Sequence, residues 1–192
     1  MSRNAHIPWE VLESREVFAA PPWIQVHRQR VRLSCGKVVD DFHRVQMSDY
    51  TVVVAQTADG RFILERQYKH GVGKVCLMLP AGGIALGEEP LAAAQRELIE
   101  ETGYEAEGWR FLGRYACNAN YGCGHVHIFT ARNARRVTEP CSGDLEEMEI
   151  VLLDEGEVQK AVRDGAVGAL GAVAALALAL DLRVTEETRF RH

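Results

Sequence analysis

The sequence predicts a mixed α/β (α+β) layer structure with a β-rich N-terminal part. Three observations carry that reading. Short β-prone runs separated by turn residues fill the chain from about residue 16 to 80. A glycine-rich loop then opens a helix that starts near Pro90 and stops at Gly103, and further strand-like runs lead into two closing helices.

The elements follow in order. "REVFAA" and "WIQVHRQRVRL" are followed by the reversal "SCGK" and then by "VVDDFHRVQM", which reads as a small antiparallel sheet over residues 16 to 47. "YTVVVAQ" (50 to 56) and "RFILERQY" (61 to 68) flank "TADG", a hairpin signal because Asp and Gly tolerate the turn geometry. "KVCLMLP" (74 to 80) is an apolar strand that stops at Pro80, and "AGGIALGEE" is a loop. The helix after it begins where proline's missing amide costs nothing, and Gly103 suits a left-handed cap. Leu91, Ala94 and Leu98, at three- and four-residue steps, form its expected buried stripe. "WRFLGRYACN", "HVHIFTARN" and "MEIVLLD" are read as strands, and 155 to 164 and 166 to 182 as helices, the second dense in alanine.

Composition bounds the function classes. A chain of 192 residues, 47% hydrophobic and 26% charged, has enough material for one buried core. A formal net charge of -5 gives no general attraction to nucleic acid or anionic lipid, so a phosphate-bearing ligand needs local cations or metal. "MSRNAHIPWE" has no secretory pattern, and the apolar run "GAVGALGAVAALALAL" is too short for a bilayer. A cytoplasmic protein without nucleic-acid or membrane partners is expected, its five cysteines reduced.

The chemistry concentrates in "GGIALGEEPLAAAQRELIEETGY", residues 82 to 104. Glu97 lies three and four positions before Glu100 and Glu101, so the carboxylates can converge on one side of a helix. Like charges at that spacing cost an exposed helix roughly 0.2–0.5 kcal/mol per pair. In the last turn the helix dipole disfavours anions by a further ~0.3–1 kcal/mol each. Local stability argues against the arrangement unless a divalent cation reverses the sign of these terms, since Mg²⁺ and Mn²⁺ take hard oxygen ligands. A solvated acidic face is the bland alternative.

The spacing of Gly82, Glu88, Arg96-Glu97-Leu98, Glu100-Glu101, Gly103 and Tyr104 resembles the signature of the Nudix hydrolases at every fixed position. The resemblance implies a Nudix-type mixed β-sheet sandwiched between helices, Mg²⁺ or Mn²⁺ as cofactor, and water cleaving the diphosphate of a nucleoside diphosphate linked to another group. It implies Glu97, Glu100 and Glu101 as metal ligands, with the Ala81 carbonyl beside them, and an Arg96–Glu88 pair that pins the loop to the helix.

The stretch "ILERQYKHGVGKVCLMLPAGGIALGEEP" is similar to the corresponding segment of ADP-ribose and nucleotide-sugar pyrophosphatases. That likeness implies residues 1–47 as a β-rich N-terminal subdomain exchanged across a homodimer, and 48–192 as the catalytic domain. Arg66, Gln67 and Lys69 stand in an "RQYR"-like strand that contacts substrate in such enzymes, and Arg44 joins them from the N-terminal part. Two features depart from that branch: Met78 stands where "ElPAG" has Glu, and "NANYGCGHVH" lacks the usual proline-glycine pair. A catalytic base is expected in "SGDLEEMEIVLL", from Glu146 or Glu147 with Asp144 behind them.

Three rival readings remain. A catalytically silent nucleotide-sugar sensor would be expected to lose a metal carboxylate, and none is missing here. A hydrolase of NADH or a dinucleoside polyphosphate keeps the chemistry and changes the substrate. An RNA-processing member would want a basic groove. Cys117, Cys123, His125 and His127 invite a zinc reading, but their spacing fits no common structural zinc pattern. Trp9, Phe18 and Trp23 are read as packing aromatics before base-stacking ones.

Overall fold

The computed structural model describes residues 7–141, 143 and 147–180. They fall into two compact units, one drawn from Met1–Asp49 and Ala116–His125, the other from Tyr50–Tyr115 and Val126–His192.

The first unit is an antiparallel meander of β1 (Glu10–Ala20), β2 (Ile24–Arg32) and β3 (Val38–Gln46). The β2–β3 reversal closes with the Leu33 amide donating to the Lys37 carbonyl at 2.8 Å, and Gly36 takes φ 85° there, a conformation that favours glycine. β1 extends further towards the N-terminus than "REVFAA" suggests. Among the described apolar side chains of this unit only Val31 is fully buried, while Val11, Val17, Phe18 and Trp23 are exposed. Trp9 meets Phe42 edge-on, with ring centroids 5.7 Å apart.

The second unit holds the core. β4 (Tyr50–Thr57) runs parallel to β9 (Gly122–Arg136) in a register that pairs Val54 with Thr130, and its start pairs antiparallel with β7 (Ala81–Gly83). β8 (Tyr104–Asn118) lies against β9. β5 (Phe62–Lys69) leaves β4 through the Gln56–Phe62 pair and then takes β6 (Lys74–Met78) on one edge and β10 (Met148–Leu153) on the other. Side chains alternate along β4. Val53 and Ala55 join Ile63, Phe129 and Ala131 in one cluster with Ala94 and Leu98 of α1 (Pro90–Thr102).

Three expectations need correction. Ala81–Gly83, read as loop, is the short strand β7, its identity set by pairing with Tyr50–Val52 and not by propensity. Leu91, placed in the buried stripe of α1, is 40% exposed; the buried residues are Ala93, Ala94, Leu98, Glu101 and Thr102. The helix expected from residue 166 begins only at Leu170, as α3 (Leu170–Leu180), after α2 (Glu155–Arg163). Residues 166–168 instead follow β6: the Leu77 amide donates to the Ala166 carbonyl at 2.8 Å and the Gly168 amide to the Leu77 carbonyl at 3.1 Å. A Cβ at Gly168 would lie 2.3 Å from the Cys76 sulfur, so only glycine allows this approach. Residues 181 and 182, assigned to that helix, lie outside the described residues.

Candidate active site

Helix α1 starts with Pro90 as its first residue and has no side-chain cap; it ends at Gly103, whose φ of 75° and amide bond to the Ile99 carbonyl make a left-handed stop. A side chain at Gly103 would also drive its Cβ to 2.2 Å from the Thr138 carbonyl oxygen. Leu98 is fully buried and Glu101 and Thr102 lie one turn on, so the helix's inward face carries a carboxylate at its C-terminal end. Glu101 is 5% exposed, and one of its oxygens accepts the Ala81 amide at 2.7 Å. The predicted metal ligand therefore also ties β7 to the helix.

Arg96 organises the rest. Its Nε donates to Glu88 at 2.9 Å and its Nη2 to the other Glu88 oxygen at 3.1 Å, a two-pronged pair, while Nη2 also donates to the Gly83 carbonyl at 3.0 Å. The Ala85 amide donates to Glu88 at 2.9 Å. The expected loop-to-helix clamp is thus present, anchored at its far end by backbone. The Glu88 carboxyl is held below its ordinary value by the Arg96 hydrogen bond first and the Ala85 amide second. Arg96 is pushed up by the same Glu88 bond, against the effect of burial.

Arg96 Nη1 donates to Glu97 at 2.6 Å and to Glu100 at 3.0 Å. Two carboxylates thus converge on one cationic nitrogen. Glu97 is largely shielded and Glu100 is half-exposed. Gly82 explains how Glu97 reaches its place: a Cβ built on Gly82 would lie 2.0 Å from the Glu97 carboxyl carbon. Glu97 and Glu100 face Arg96 while Glu101 faces Ala81, and no cluster of three or more His, Cys, Asp or Glu side chains poised for a metal occurs among the described residues. The donor chemistry nevertheless suits a hard divalent cation: the ligands are all oxygen, carried close together on one helix and set beside Ala81.

The other predicted residues divide. Alternation puts Arg66 and Tyr68 on one face of β5 and Gln67 and Lys69 on the other, the face of Ile63. Arg66 is exposed and donates to Glu149 of β10 at 2.7 Å. Gln67 is 2% exposed, with its amide donating at 2.9 Å to the carboxylate of Glu65, itself 1% exposed. Interior hydrogen bonding is the place of Gln67 in this structure. Lys69 is half-buried. In the first unit, Arg44 is exposed on β3, paired across the sheet with His27. Glu147 is exposed just before β10; Glu146 and Asp144 lie outside the described residues.

The two histidines of the cysteine–histidine stretch have other partners. Asp49 accepts the His125 amide at 2.9 Å and approaches its ring Nδ1 at 3.2 Å. His127 is buried with its ring against Phe111 at 6.3 Å. Sequence reasoning missed the Gly83 carbonyl, the Ala85 amide and the Glu65–Gln67 pair. The first two are backbone groups with no side-chain signal, and a glutamate on a strand reads as surface until its neighbours are known.

Fold and site together define an α+β protein built on a glycine loop, a carboxylate-bearing helix and an arginine clamp between them. The NUDIX domain family model matches residues 47–168, and the chain belongs to that family. A second model, the nucleoside diphosphate sugar hydrolase N-terminal domain, matches residues 9–45. Among curated relatives, a methanol dehydrogenase activator of Bacillus methanolicus is 32% identical over 58% of this chain and 59% of its own length. An ADP-ribose pyrophosphatase of Mycobacterium tuberculosis is 30% identical over 68% of this chain and 60% of its own. An ADP-sugar pyrophosphatase of Mus musculus is 36% identical over 50% and 46%. The chain thus spans about half to six-tenths of the length of these relatives. The crystal structure of an ADP compounds hydrolase shares the fold, with TM-score 0.79 at 22% identity, over 90% of this chain and 92% of that one.

Proposed function

We propose that this chain is a metal-dependent pyrophosphatase that cleaves the diphosphate of a nucleoside diphosphate joined to another group. ADP-ribose or a nucleotide sugar is the favoured substrate, with a nucleoside monophosphate and a sugar phosphate as products. The observation that carries the reading is the convergence of Glu97 and Glu100 on one cationic centre, in a loop and helix locked by Arg96 and Glu88. Relatives named for ADP-ribose and ADP-sugar substrates support the substrate class.

In this reading Glu97, Glu100, Glu101 and the Ala81 carbonyl hold Mg²⁺ or Mn²⁺. The ion supplies charge withdrawal from the phosphorus centre and acidifies the attacking water. The protein's share is positioning: Arg96 and Glu88 fix the loop, Gly82 leaves room for the Glu97 carboxyl, and Glu101 keeps β7 against the helix. Glu147 is the described candidate for the base, with Glu146 as its neighbour in sequence. Arg66 and Lys69, on opposite faces of β5, are proposed as separate substrate contacts, Arg44 is a further candidate, and Gln67 acts from the interior.

We assign residues 1–47 to a dimerisation subdomain and 48–192 to catalysis; the exposed Val11, Val17, Phe18 and Trp23 favour a homodimer. No helix among the described residues is long and apolar enough to cross a membrane, and the proposed setting is the cytoplasm. Incubation of ADP-ribose and a panel of nucleotide sugars with and without Mg²⁺, with the monophosphate released measured by chromatography, tests the activity. Release that ignores magnesium, or none from any diphosphate, overturns it.

One observation favours a second reading. Arg96 Nη1 already donates to Glu97 and Glu100, giving their oxygens a partner without metal, as in a binding module that needs none. Metal-independent binding of ADP-ribose without turnover is the result that selects it.

A further inference from the structure

One cavity of the second unit lies away from the carboxylates. It has a volume of about 550 Å³, within the range of small-molecule sites, roughly 300–1,000 Å³. Its floor is a single sheet face. Val54 and Thr130 are register partners on β4 and β9, and Gln56 and Phe62 are partners on β4 and β5. These positions alternate with Val53, Ala55 and Phe129, which pack against α1. The cavity therefore opens on the sheet face away from the acidic helix. It also lies towards the end of β4 opposite Tyr50–Val52, where β7 and the glycine loop attach.

Two arginines line it, Arg110 of β8 and Arg132 of β9. Gly108 sits beside Arg132 across the strand pair: a Cβ built on Gly108 would lie 3.5 Å from the Arg132 Cβ. Arg110, two residues on from Gly108, shares that face as a diagonal neighbour, on the order of 7 Å away. Arg61, Arg66, Arg96, Arg135 and Arg136 each have a carboxylate partner. Arg110 and Arg132 have none among the described residues, although the chain is acidic overall and both are exposed. Like charges so placed repel. An anion with several oxygens reverses that repulsion, and guanidinium matches phosphate geometry with two-pronged bonds.

The remaining lining narrows the ligand. The Thr130 hydroxyl, the Gln56 amide and the Glu155 carboxylate are polar groups at the cavity, and Glu155 can only accept from donors at neutral pH. The P–OH groups of inorganic phosphate sit on the anion that the arginines would hold, whereas a sugar carries several hydroxyl donors away from it. Val54, Phe62 and Leu180 add an apolar side. We propose that this cavity is a second, non-catalytic site for a phosphate monoester that carries sugar hydroxyls, the phosphate held by Arg110 and Arg132 and the hydroxyls by Glu155, Gln56 and Thr130. The assignment stands on the cavity itself and not on the activity proposed above, although both products of that activity have this chemistry.

The test is calorimetric titration of the full chain, in chelator to exclude divalent metal, with ribose 5-phosphate, AMP, inorganic phosphate and ribose. Binding of either monoester, weaker binding of phosphate and none of ribose are expected. Arg110→Ala with Arg132→Ala lowers monoester affinity by roughly tenfold or more. The relative affinities of ribose 5-phosphate and AMP tell which product class the cavity prefers. Amide chemical shifts in the wild-type chain give a reading free of any folding defect: Arg110, Thr130 and Arg132 should move and Gly82 and Gly83 should not. Absence of monoester binding, equal binding by the double variant, equal affinity for ribose, or shifts confined to the glycine loop each overturn the proposal. Because turnover is not measured, failure of the hydrolase reading leaves this result intact.

Discussion

Arg96 grips both oxygens of Glu88, at 2.9 and 3.1 Å, across the loop that leads into α1, and the same guanidinium reaches Glu97 and Glu100. Lysine keeps the charge but offers a single nitrogen and no fork, so it cannot hold Glu88, the Gly83 carbonyl and two further carboxylates together. Arg96→Lys and Glu88→Gln should each lower turnover by about 10–100-fold, the usual cost of losing a group that orients a ligand. Circular dichroism should be unchanged. Wild-type rates in both variants would show that the clamp does not govern the carboxylates.

Gly82 makes a sharper case, because the clash its side chain would create is with the tip of Glu97. That carboxyl can swing away without moving backbone, so Gly82→Ala should fold with nearly unchanged thermal stability and yet lose most of its activity. A large fall in melting temperature would instead mean that the loop backbone itself cannot accept alanine.

Substituting the carboxylates separates charge from shape. In Glu101→Gln the side-chain carbonyl can still accept the Ala81 amide, so β7 stays attached while a negative charge is lost. Glu100→Gln is half-exposed and should be tolerated equally well. Each should reduce Mg²⁺-dependent turnover by roughly a hundredfold or more, with chain stability preserved. Full activity in both would remove them as metal ligands.

The signature of residues 82 to 104 was legible because its chemistry depends on residue types at fixed spacing along one loop and helix, which sequence displays directly. Glu97 and Glu100 meet at Arg96 as helical spacing allows, and Arg96 pairs with Glu88 as the resemblance implies, whereas Glu101 turns to the Ala81 amide. What sequence hides is anything decided by a strand's neighbours. Gln67 reads as a substrate contact from its motif, yet it lies on the face of β5 shared with Ile63, hydrogen-bonded to a buried glutamate. The delayed start of α3 has the same origin: alanine and glycine propensities cannot foresee that residues 166–168 will bond to Leu77. β7 is a strand only because Tyr50–Val52 offer it partners.

The clamp also has a pH signature. Glu88 is depressed in the folded chain, so the stability it contributes is fully present above the unfolded-state value and is lost as pH falls through the lower folded value. Arg96 stays charged throughout. A carbon-detected NMR titration of the metal-free protein should place the Glu88 midpoint below that of an ordinary glutamate, and Arg96→Ala should return it upward. A midpoint unmoved by that substitution would assign the depression to the Ala85 amide alone.

Two leucines of α1 test which face the helix buries. Leu98 is fully enclosed, in the cluster with Val53, Ile63 and Phe129, whereas Leu91 is 40% exposed although both fit one helical stripe in the sequence. The stripe fails at Leu91 because it sits in the first turn, beside the loop, where the burial pattern leaves residues 91 and 92 exposed and begins only with Ala93. Removing the Leu98 side chain leaves a cavity directly beneath the carboxylates, and Leu98→Ala should cost about 2–5 kcal/mol. Leu91→Ala loses little buried area and should cost about 1 kcal/mol or less. Denaturant unfolding of the two variants decides the matter: comparable losses would mean that the helix is rotated from the placement described, and with it the direction in which Glu97 and Glu101 point.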